Sequence, residues 1–123
     1  AVGGRRVRAA LTAALTFDAS WDAVFWLLDG QELHVIDDDM RRDAAALAAY
    51  VAEQRIDVMG PTPAFLEMLV QEGLLEHPEH RPALLLVGGE ALGPALWSTL
   101  RDAADTVSFN CYGPTEATVD TLV

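Results

Sequence analysis

The stretch ALLLVGGEALGPALWSTLRDAADTVSFN, residues 83–110, decides the fold. Its first five residues, 83–87, are all apolar, which is typical of a strand that is buried on both faces. A Gly-Gly pair follows, and 93–105 then has the pattern of a helix with Pro94 near its first turn. Residues 106–110 form a second short strand pattern. A strand, a helix and a strand in this order predict two parallel strands joined by a helical crossover.

The same alternation extends over the rest of the chain. Further strands are predicted at 7–17, 32–36 and 56–60, and further helices at 18–30, 37–55 and 63–75. The alanine content of the first of these strands would also suit a helix. The pattern as a whole predicts an α/β protein with a mostly parallel, flavodoxin-like sheet, in a single domain over 1–123.

Composition and charge argue against several kinds of binding partner and site. The 123 residues are 51% apolar, which is enough for one modest core. The formal net charge of −11 repels phosphate backbones and anionic lipid, so we expect neither nucleic acid nor membrane as a partner. No signal peptide or transmembrane run is evident, which predicts a cytoplasmic location. The single cysteine, Cys111, excludes an intrachain disulfide, and His34, His77 and His80 lack the company of other metal ligands.

Unusual residues follow four of the predicted strands. Asp18 follows the first, Gly60 the third, Gly88-Gly89-Glu90 the fourth, and residues 112–116 the fifth. Because ligands gather at the carboxyl ends of parallel strands, we expect these residues to converge on one cleft. The two adjacent glycines would let a ligand approach the backbone closely, or they would only make a tight turn.

The stretch FNCYGPTEAT, residues 109–118, combines three kinds of side chain around a Gly-Pro turn. Tyr112 would present a ring on which a base could stack, or it would be a core tyrosine. Thr115 offers a hydroxyl. Glu116 offers an oxygen ligand of the kind that Mg²⁺ takes, although a helix cap or a surface carboxylate would look the same. Together and in this order, these residues predict a site for a nucleotide and Mg²⁺.

The motifs resemble those of one enzyme family. NCYGPTE, residues 110–116, closely resembles the NxYGPTE motif of the amino-acid adenylation domains of nonribosomal peptide synthetases, in the adenylate-forming, AMP-binding superfamily. FDAS at 17–20 resembles their FDxS motif, and GGE at 88–90 resembles their adenine-side loop. Order and spacing agree over essentially the whole chain. The chain is therefore similar to the central part of the large N-terminal adenylation subdomain, the part that carries the amino-acid pocket.

The resemblance implies a reaction and its cofactors. Adenylation domains join an amino-acid carboxylate to the α-phosphate of ATP, with Mg²⁺, and release pyrophosphate. The aminoacyl-AMP then loads the phosphopantetheine of a peptidyl carrier protein, so the expected partners are the amino acid, that carrier protein and the remaining adenylation subdomains. The family's phosphate loop and its lysine-bearing C-terminal subdomain have no counterpart in the 123 residues, so we expect a fragment that is inactive by itself.

The resemblance also assigns residues to the nucleotide. Tyr112 would stack on adenine, and Asn110 would bond its exocyclic amine. Thr115 would contact the α-phosphate and Glu116 would help to hold Mg²⁺, which makes these two the catalytic residues. The remaining residues on the nucleotide side are Gly88, Gly89, Glu90 and Gly113.

The amino-acid pocket follows from the same resemblance. Its walls would be Asp18, Ala19, Asp22, Gly60, Leu86, Gly88, Cys111, Val119 and Asp120.

The composition of those walls indicates the substrate. Asp18 would bind the α-ammonium group, and it could also cap a helix. Asp22 and Asp120 would add two carboxylates to a roomy pocket, and buried carboxylates need a partner that donates hydrogen bonds. A basic, arginine-like amino acid is the first expectation and glutamine or glutamate the second, unless Asp22 and Asp120 face solvent. The alternative function is a noncatalytic, flavodoxin-like binding or interaction module.

Overall fold

A five-stranded parallel sheet forms the centre of the computed structural model, which describes residues 5–12 and 25–111. The strand order is β2-β1-β3-β4-β5. The strands are β1 (Arg8–Leu11), β2 (Glu32–Val35), β3 (Val58–Met59), β4 (Leu84–Gly88) and β5 (Val107–Cys111).

All five predicted strands are present, and all four pairings between them are parallel. The α/β class and the mostly parallel sheet are therefore confirmed, and the strand order is the flavodoxin-like one. β2 and β3 are shorter than the patterns that predicted them, whereas β4 and β5 keep the predicted length and lie one residue further along the chain. The strand expected at 56–60 is confined to Val58–Met59, for example, and residues 13–17 of the first predicted strand lie outside the described residues.

Four helices are described with both ends, and caps explain where most of them begin. They are α1 (Asp38–Arg41), α2 (Ala44–Glu53), α3 (Pro63–Gln71) and α4 (Pro94–Asp102). Residues 25–28 are also helical, in agreement with the helix predicted at 18–30, of which residues 18–24 lie outside the described part. The α3 helix ends before the predicted residue 75, and Gly73 just beyond it has a φ of +88°, which favours glycine.

The prediction of a single helix over 37–55 is wrong, because two helices, α1 and α2, occupy this range. Asp37 caps α1 by accepting from the Met40 N–H, and Asp43 has an extended backbone and accepts from the Ala46 N–H at 3.0 Å. An aspartate that caps in this way begins a new helix and does not continue the previous one. The acidic and basic residues of 37–43 therefore form a short separate helix and a break before α2.

The main core lies between the sheet and helices α2, α3 and α4. Strand side chains alternate between the two faces of a sheet. Met59, Leu85 and Val87 point toward these helices and are buried among their side chains. The opposite face has a smaller buried cluster of Val7, Ala9 and Val58, against which Trp26, Leu33 and Leu84 pack.

The amino ends of the central strands are tied together by a buried carboxylate. Asp57 is 1% exposed and accepts two hydrogen bonds from the Arg5 guanidinium, at 2.7 and 2.8 Å, and one from the Arg8 N–H at 2.9 Å. Burial raises the pKa of Asp57, but these hydrogen bonds and the charge of Arg5 outweigh it, so the pKa lies below its usual value. The pairing fixes β1 beside β3 at the end of the sheet away from the candidate site.

The helices in the described part of the chain are all too short or too polar to cross a membrane.

Candidate functional site

Four of the predicted pocket residues lie on one face of the sheet, toward its carboxyl edge. The register pairs Gly88 with Cys111 and Leu86 with Phe109. The Val87 side chain points toward α2, α3 and α4, so its neighbours in the strand, Leu86 and Gly88, lie on the opposite face. Paired residues of parallel strands share a face, so Cys111 lies on that opposite face as well. Gly60 follows Met59, whose side chain points toward the helices, so Gly60 belongs to the same face as the other three.

At the two glycines on this face, neighbouring backbone comes too close to leave space for a side chain. A Cβ placed on Gly88 would lie 2.8 Å from the carbonyl oxygen of Cys111, which is closer than real Cβ atoms come. A Cβ on Gly60 would lie 3.3 Å from the carbonyl oxygen of Leu86. The face is therefore lined here by backbone, and a ligand can approach it without meeting side chains at these two positions.

The turn at residues 88–90 rests on the beginning of α3. Gly89 has a φ of +90°, in the left-handed region where glycine is favoured. The Gly88 N–H donates to the Pro61 carbonyl at 3.4 Å, and the Glu90 Oε2 accepts from the Ala64 N–H at 3.4 Å. Sequence reasoning placed Glu90 on the nucleotide side and did not foresee its contact with a helix.

A further contact joins the ends of β1 and β3. Thr12 directly follows β1, and its hydroxyl donates to the Gly60 carbonyl at 3.3 Å. The strand order reverses between β1 and β3, because the chain goes from β1 to β2 on one side and continues with β3 on the other side of β1. Crevices of this kind are where open parallel sheets bind ligands. Sequence reasoning missed Thr12, and its only signal is a hydroxyl residue directly after the apolar residues 9–11.

Asn110 lies beside this site but on the other face. Its register partner is Val87, whose side chain is buried toward the helices, and Asn110 itself is exposed on the outer strand β5. Asn110 directly precedes Cys111 in β5, so it adjoins the Gly88–Cys111 pair along the strand although its side chain is on the other face.

The other predicted site residues lie outside the described residues. On the amino-acid side these are Asp18, Ala19, Asp22, Val119 and Asp120, and on the nucleotide side Tyr112, Gly113, Thr115 and Glu116. Within 5–12 and 25–111, histidine, cysteine and acidic side chains form no cluster that could hold a metal ion.

A family model described as AMP-binding enzyme matches residues 2–123. The chain belongs to the AMP-binding enzyme family. The match covers nearly all of the chain, and the resemblance to adenylation domains of nonribosomal peptide synthetases is confirmed by its relatives.

Curated relatives of this AMP-binding chain include two synthetases and a synthase subunit. Vanchrobactin synthetase VabF of Vibrio anguillarum is 40% identical over 94% of the chain. The AMB antimetabolite synthetase AmbE of Pseudomonas aeruginosa is 35% identical over 97%, and surfactin synthase subunit 1 of Bacillus subtilis is 35% identical over 98%. The chain spans only 4%, 6% and 4% of the length of these three relatives.

Solved structures of AMP-binding proteins share the fold. The adenylation domain AlmE of Vibrio cholerae, in complex with glycyl-adenosine-5'-phosphate, matches with a TM-score of 0.78 and 26% identity over 94% of the chain. The four-domain nonribosomal peptide synthetase AB3403, bound to AMP and glycine, matches with a TM-score of 0.80 and 26% identity over the same share. The chain covers 22% of the first structure and 9% of the second.

Proposed function

We propose that these 123 residues are the substrate-selecting part of an adenylation domain, which activates an amino acid with ATP and forms an aminoacyl-AMP. The observation that carries the proposal is the position of Gly60, Leu86, Gly88 and Cys111 on one face at the carboxyl edge of the sheet. These are four of the residues expected to line the amino-acid pocket. Family membership favours this function over a noncatalytic module.

The ligands of two related structures support the chemistry. One contains glycyl-adenosine-5'-phosphate, and the other contains AMP and glycine. An aminoacyl adenylate has an amino-acid part and a nucleotide part, which need adjoining sites. Gly88 is expected on both sides. It shares a face with Gly60 and Leu86 of the expected amino-acid side, and it adjoins Gly89 of the expected nucleotide side in sequence, which supports adjoining sites.

The remaining roles are proposed on the motifs alone. Tyr112 and Gly113 would contact the nucleotide. Thr115 would contact the α-phosphate and Glu116 would help to hold Mg²⁺, so that the charge that develops in the reaction is stabilised. A carrier protein with phosphopantetheine would accept the product.

We further propose that the amino acid is basic and arginine-like. Gly60 and Gly88 add no side chain to the described part of the pocket wall, so neither position takes up space that a long substrate side chain would need. Asp22 and Asp120 would add carboxylates to Asp18, which is assigned to the α-ammonium group. A guanidinium group offers several N–H donors in the fork that carboxylates accept best, and it would therefore compensate these charges.

The test is amino-acid-dependent ATP–pyrophosphate exchange by the full-length protein that contains these residues, over a panel of amino acids. We expect exchange with arginine or another basic amino acid. Asp120→Asn should raise the KM for that substrate about tenfold, because a hydrogen bond between two charged groups becomes one to a neutral group. Glu67→Gln removes the same charge from an exposed position on α3 and should leave the KM unchanged.

Two outcomes would contradict the proposal at different levels. Exchange that depends only on a small apolar amino acid would keep the adenylation activity and reject the charge argument. A folded protein without exchange for any amino acid would reject the proposed activity itself.

A further inference from the structure

The beginning of α3 has no acidic residue of its own to balance its dipole. Its first turn contains no aspartate or glutamate, and its first residue, Pro63, has no N–H. The Thr62 hydroxyl caps the helix by accepting from the Phe65 N–H at 3.4 Å. A carboxylate near the first N–H groups of a helix is favoured by their hydrogen bonds and by the helix dipole.

Glu90 supplies that carboxylate from a different part of the chain. Its Oε2 accepts from the Ala64 N–H at 3.4 Å, across 26 residues of sequence. Glu90 follows β4, whereas α3 follows β3, so the contact joins two neighbouring connections at the carboxyl edge of the sheet.

Two more contacts hold the same two connections together. The Gly88 N–H donates to the Pro61 carbonyl at 3.4 Å. A Cβ on Gly89 would lie 3.6 Å from the Thr62 Cγ2, which is ordinary contact distance. Three successive residues, 88–90, are thus each placed against the segment 61–64, which fixes the orientation of the turn as well as its position.

We propose that Glu90 is a positioning residue, which fixes the 88–90 turn on the beginning of α3 and does not itself touch the nucleotide. The proposal rests on the function proposed above, in which Gly88 and Gly89 lie against the nucleotide. A turn that must be ordered at each binding event binds more weakly than one that is already held in place. Loss of the Glu90 contact therefore raises the KM for ATP, and it leaves kcat almost unchanged because Glu90 does not contact the reacting atoms.

The experiment compares Glu90→Ala and Glu90→Gln in the full-length protein by ATP–pyrophosphate exchange. Glu90→Ala removes the acceptor, and we expect the KM for ATP to rise about three- to tenfold. Glu90→Gln keeps an amide oxygen that can accept from the Ala64 N–H, and should stay within about threefold of the unmodified protein. The KM for the amino acid and kcat should change less than about twofold in both variants.

A matched double variant separates positioning from stabilisation of the helix. Ala64 is exposed, and Ala64→Asp gives α3 an acidic residue in its own first turn. In Glu90→Ala/Ala64→Asp we expect the melting temperature to return to that of the unmodified protein and the KM for ATP to remain raised. Because this variant keeps the helix balanced without Glu90, the test does not depend on the folding of Glu90→Ala alone.

Three results would overturn the proposal. A KM for ATP that Glu90→Ala leaves unchanged would show that the turn does not need the contact. A KM that Ala64→Asp restores would reduce Glu90 to a helix-stabilising residue. An equal loss in Glu90→Gln and Glu90→Ala, with a lower kcat, would place the carboxylate on the ligand. A lack of exchange in the unmodified protein would instead contradict the proposed function.

Discussion

Gly88 is a residue whose replacement has a clear structural cost. An added Cβ would meet the Cys111 carbonyl at 2.8 Å, and this atom belongs to the backbone of a paired strand, so that it cannot turn aside. We expect Gly88→Ala to lower the free energy of unfolding by about 1–3 kcal/mol, as overpacking does, and to reduce exchange activity. Chemical denaturation of the full-length protein measures the first effect.

Gly93 provides the control for this substitution. It has no atoms within 4 Å of an added Cβ and a φ of −71°, and it caps α4 without a side-chain hydrogen bond. Gly93→Ser should therefore be neutral or slightly stabilising, since serine is a good cap. Equal destabilisation by both changes would argue against the close contact at Gly88.

Asp57 should make stability depend on pH. Its folded pKa is lowered, so its ionised form stabilises the fold above the pKa of the unfolded chain, about 4, and this stabilisation is lost as the pH falls through the folded pKa. We expect Asp57→Asn to lower the free energy of unfolding at pH 7 by about 1–3 kcal/mol and to flatten its decline below pH 4. Urea denaturation at several pH values measures both.

The exposed Glu67 serves as the reference for this measurement. Glu67→Gln removes one carboxylate from the outer surface of α3 and should leave both the stability at pH 7 and its decline in acid unchanged. A decline that Asp57→Asn leaves intact would assign the acid sensitivity to other carboxyl groups. Glu32 is the first of these, because the hydrogen bond with His34 also lowers its pKa.

The contacts of individual residues could be predicted from the sequence in some cases and not in others. The glycine pair after an apolar strand indicated at Gly88 that backbone needs close approach, but its predicted partner was a ligand, and the contact with the Cys111 carbonyl of β5 was not foreseen. The Arg5–Asp57 pair was not foreseeable, since its members are 52 residues apart and meet only when β1 lies beside β3. The one signal was an acidic residue inside the apolar run IDVM, where an aspartate needs a partner.

At the scale of the element, the break between α1 and α2 depends on Asp43. Its carboxylate accepts from the Ala46 N–H at 3.0 Å. We expect Asp43→Ala to lower the free energy of unfolding by about 1 kcal/mol, the usual cost of a lost cap. Thermal unfolding checks this, and Glu67→Ala, which removes an exposed acid without a cap, should shift the melting temperature much less.

Element types followed from the sequence more closely than their ends did. The five strands and the helices of 63–75 and 93–105 were predicted because apolar runs and periodic stretches alternate. The observed strand ends differ from the predicted ones because buried apolar residues extend beyond the residues that pair in the sheet. Ile56, for example, is buried but precedes the first residue of β3. The helix at 37–55 was predicted as one piece because a capping aspartate resembles any other acidic residue in a polar stretch.

At the scale of the whole molecule, the described residues include helices that cover one face of the sheet and apolar side chains that are exposed on the other. Val35, Val107 and Phe109 lie on the face opposite α2, α3 and α4, and Val107 and Phe109 are 58% and 44% exposed. We expect the 123-residue polypeptide to associate as its concentration rises, and Val107→Thr/Phe109→Thr to reduce that association. Sedimentation velocity at several concentrations measures it.

Met68 offers an exposed apolar side chain on α3, on the other side of the sheet. Met68→Gln should not change the association, whereas a uniform effect of all three substitutions would indicate nonspecific aggregation. A polypeptide that sediments as a monomer at every concentration would contradict the role of this face.

The strand order also determines when the sheet can be completed during synthesis. Ala9 of β1 pairs with Val58 of β3, so a ribosome must add about fifty residues after β1 before that pairing is available. At usual rates of elongation this takes roughly three to ten seconds. In the nascent chain β1 thus keeps its β3-facing edge open longer than β4 waits for β5, and an open strand edge is where a nascent chain is most prone to pair wrongly. We expect chaperones that bind nascent chains to protect β1 first.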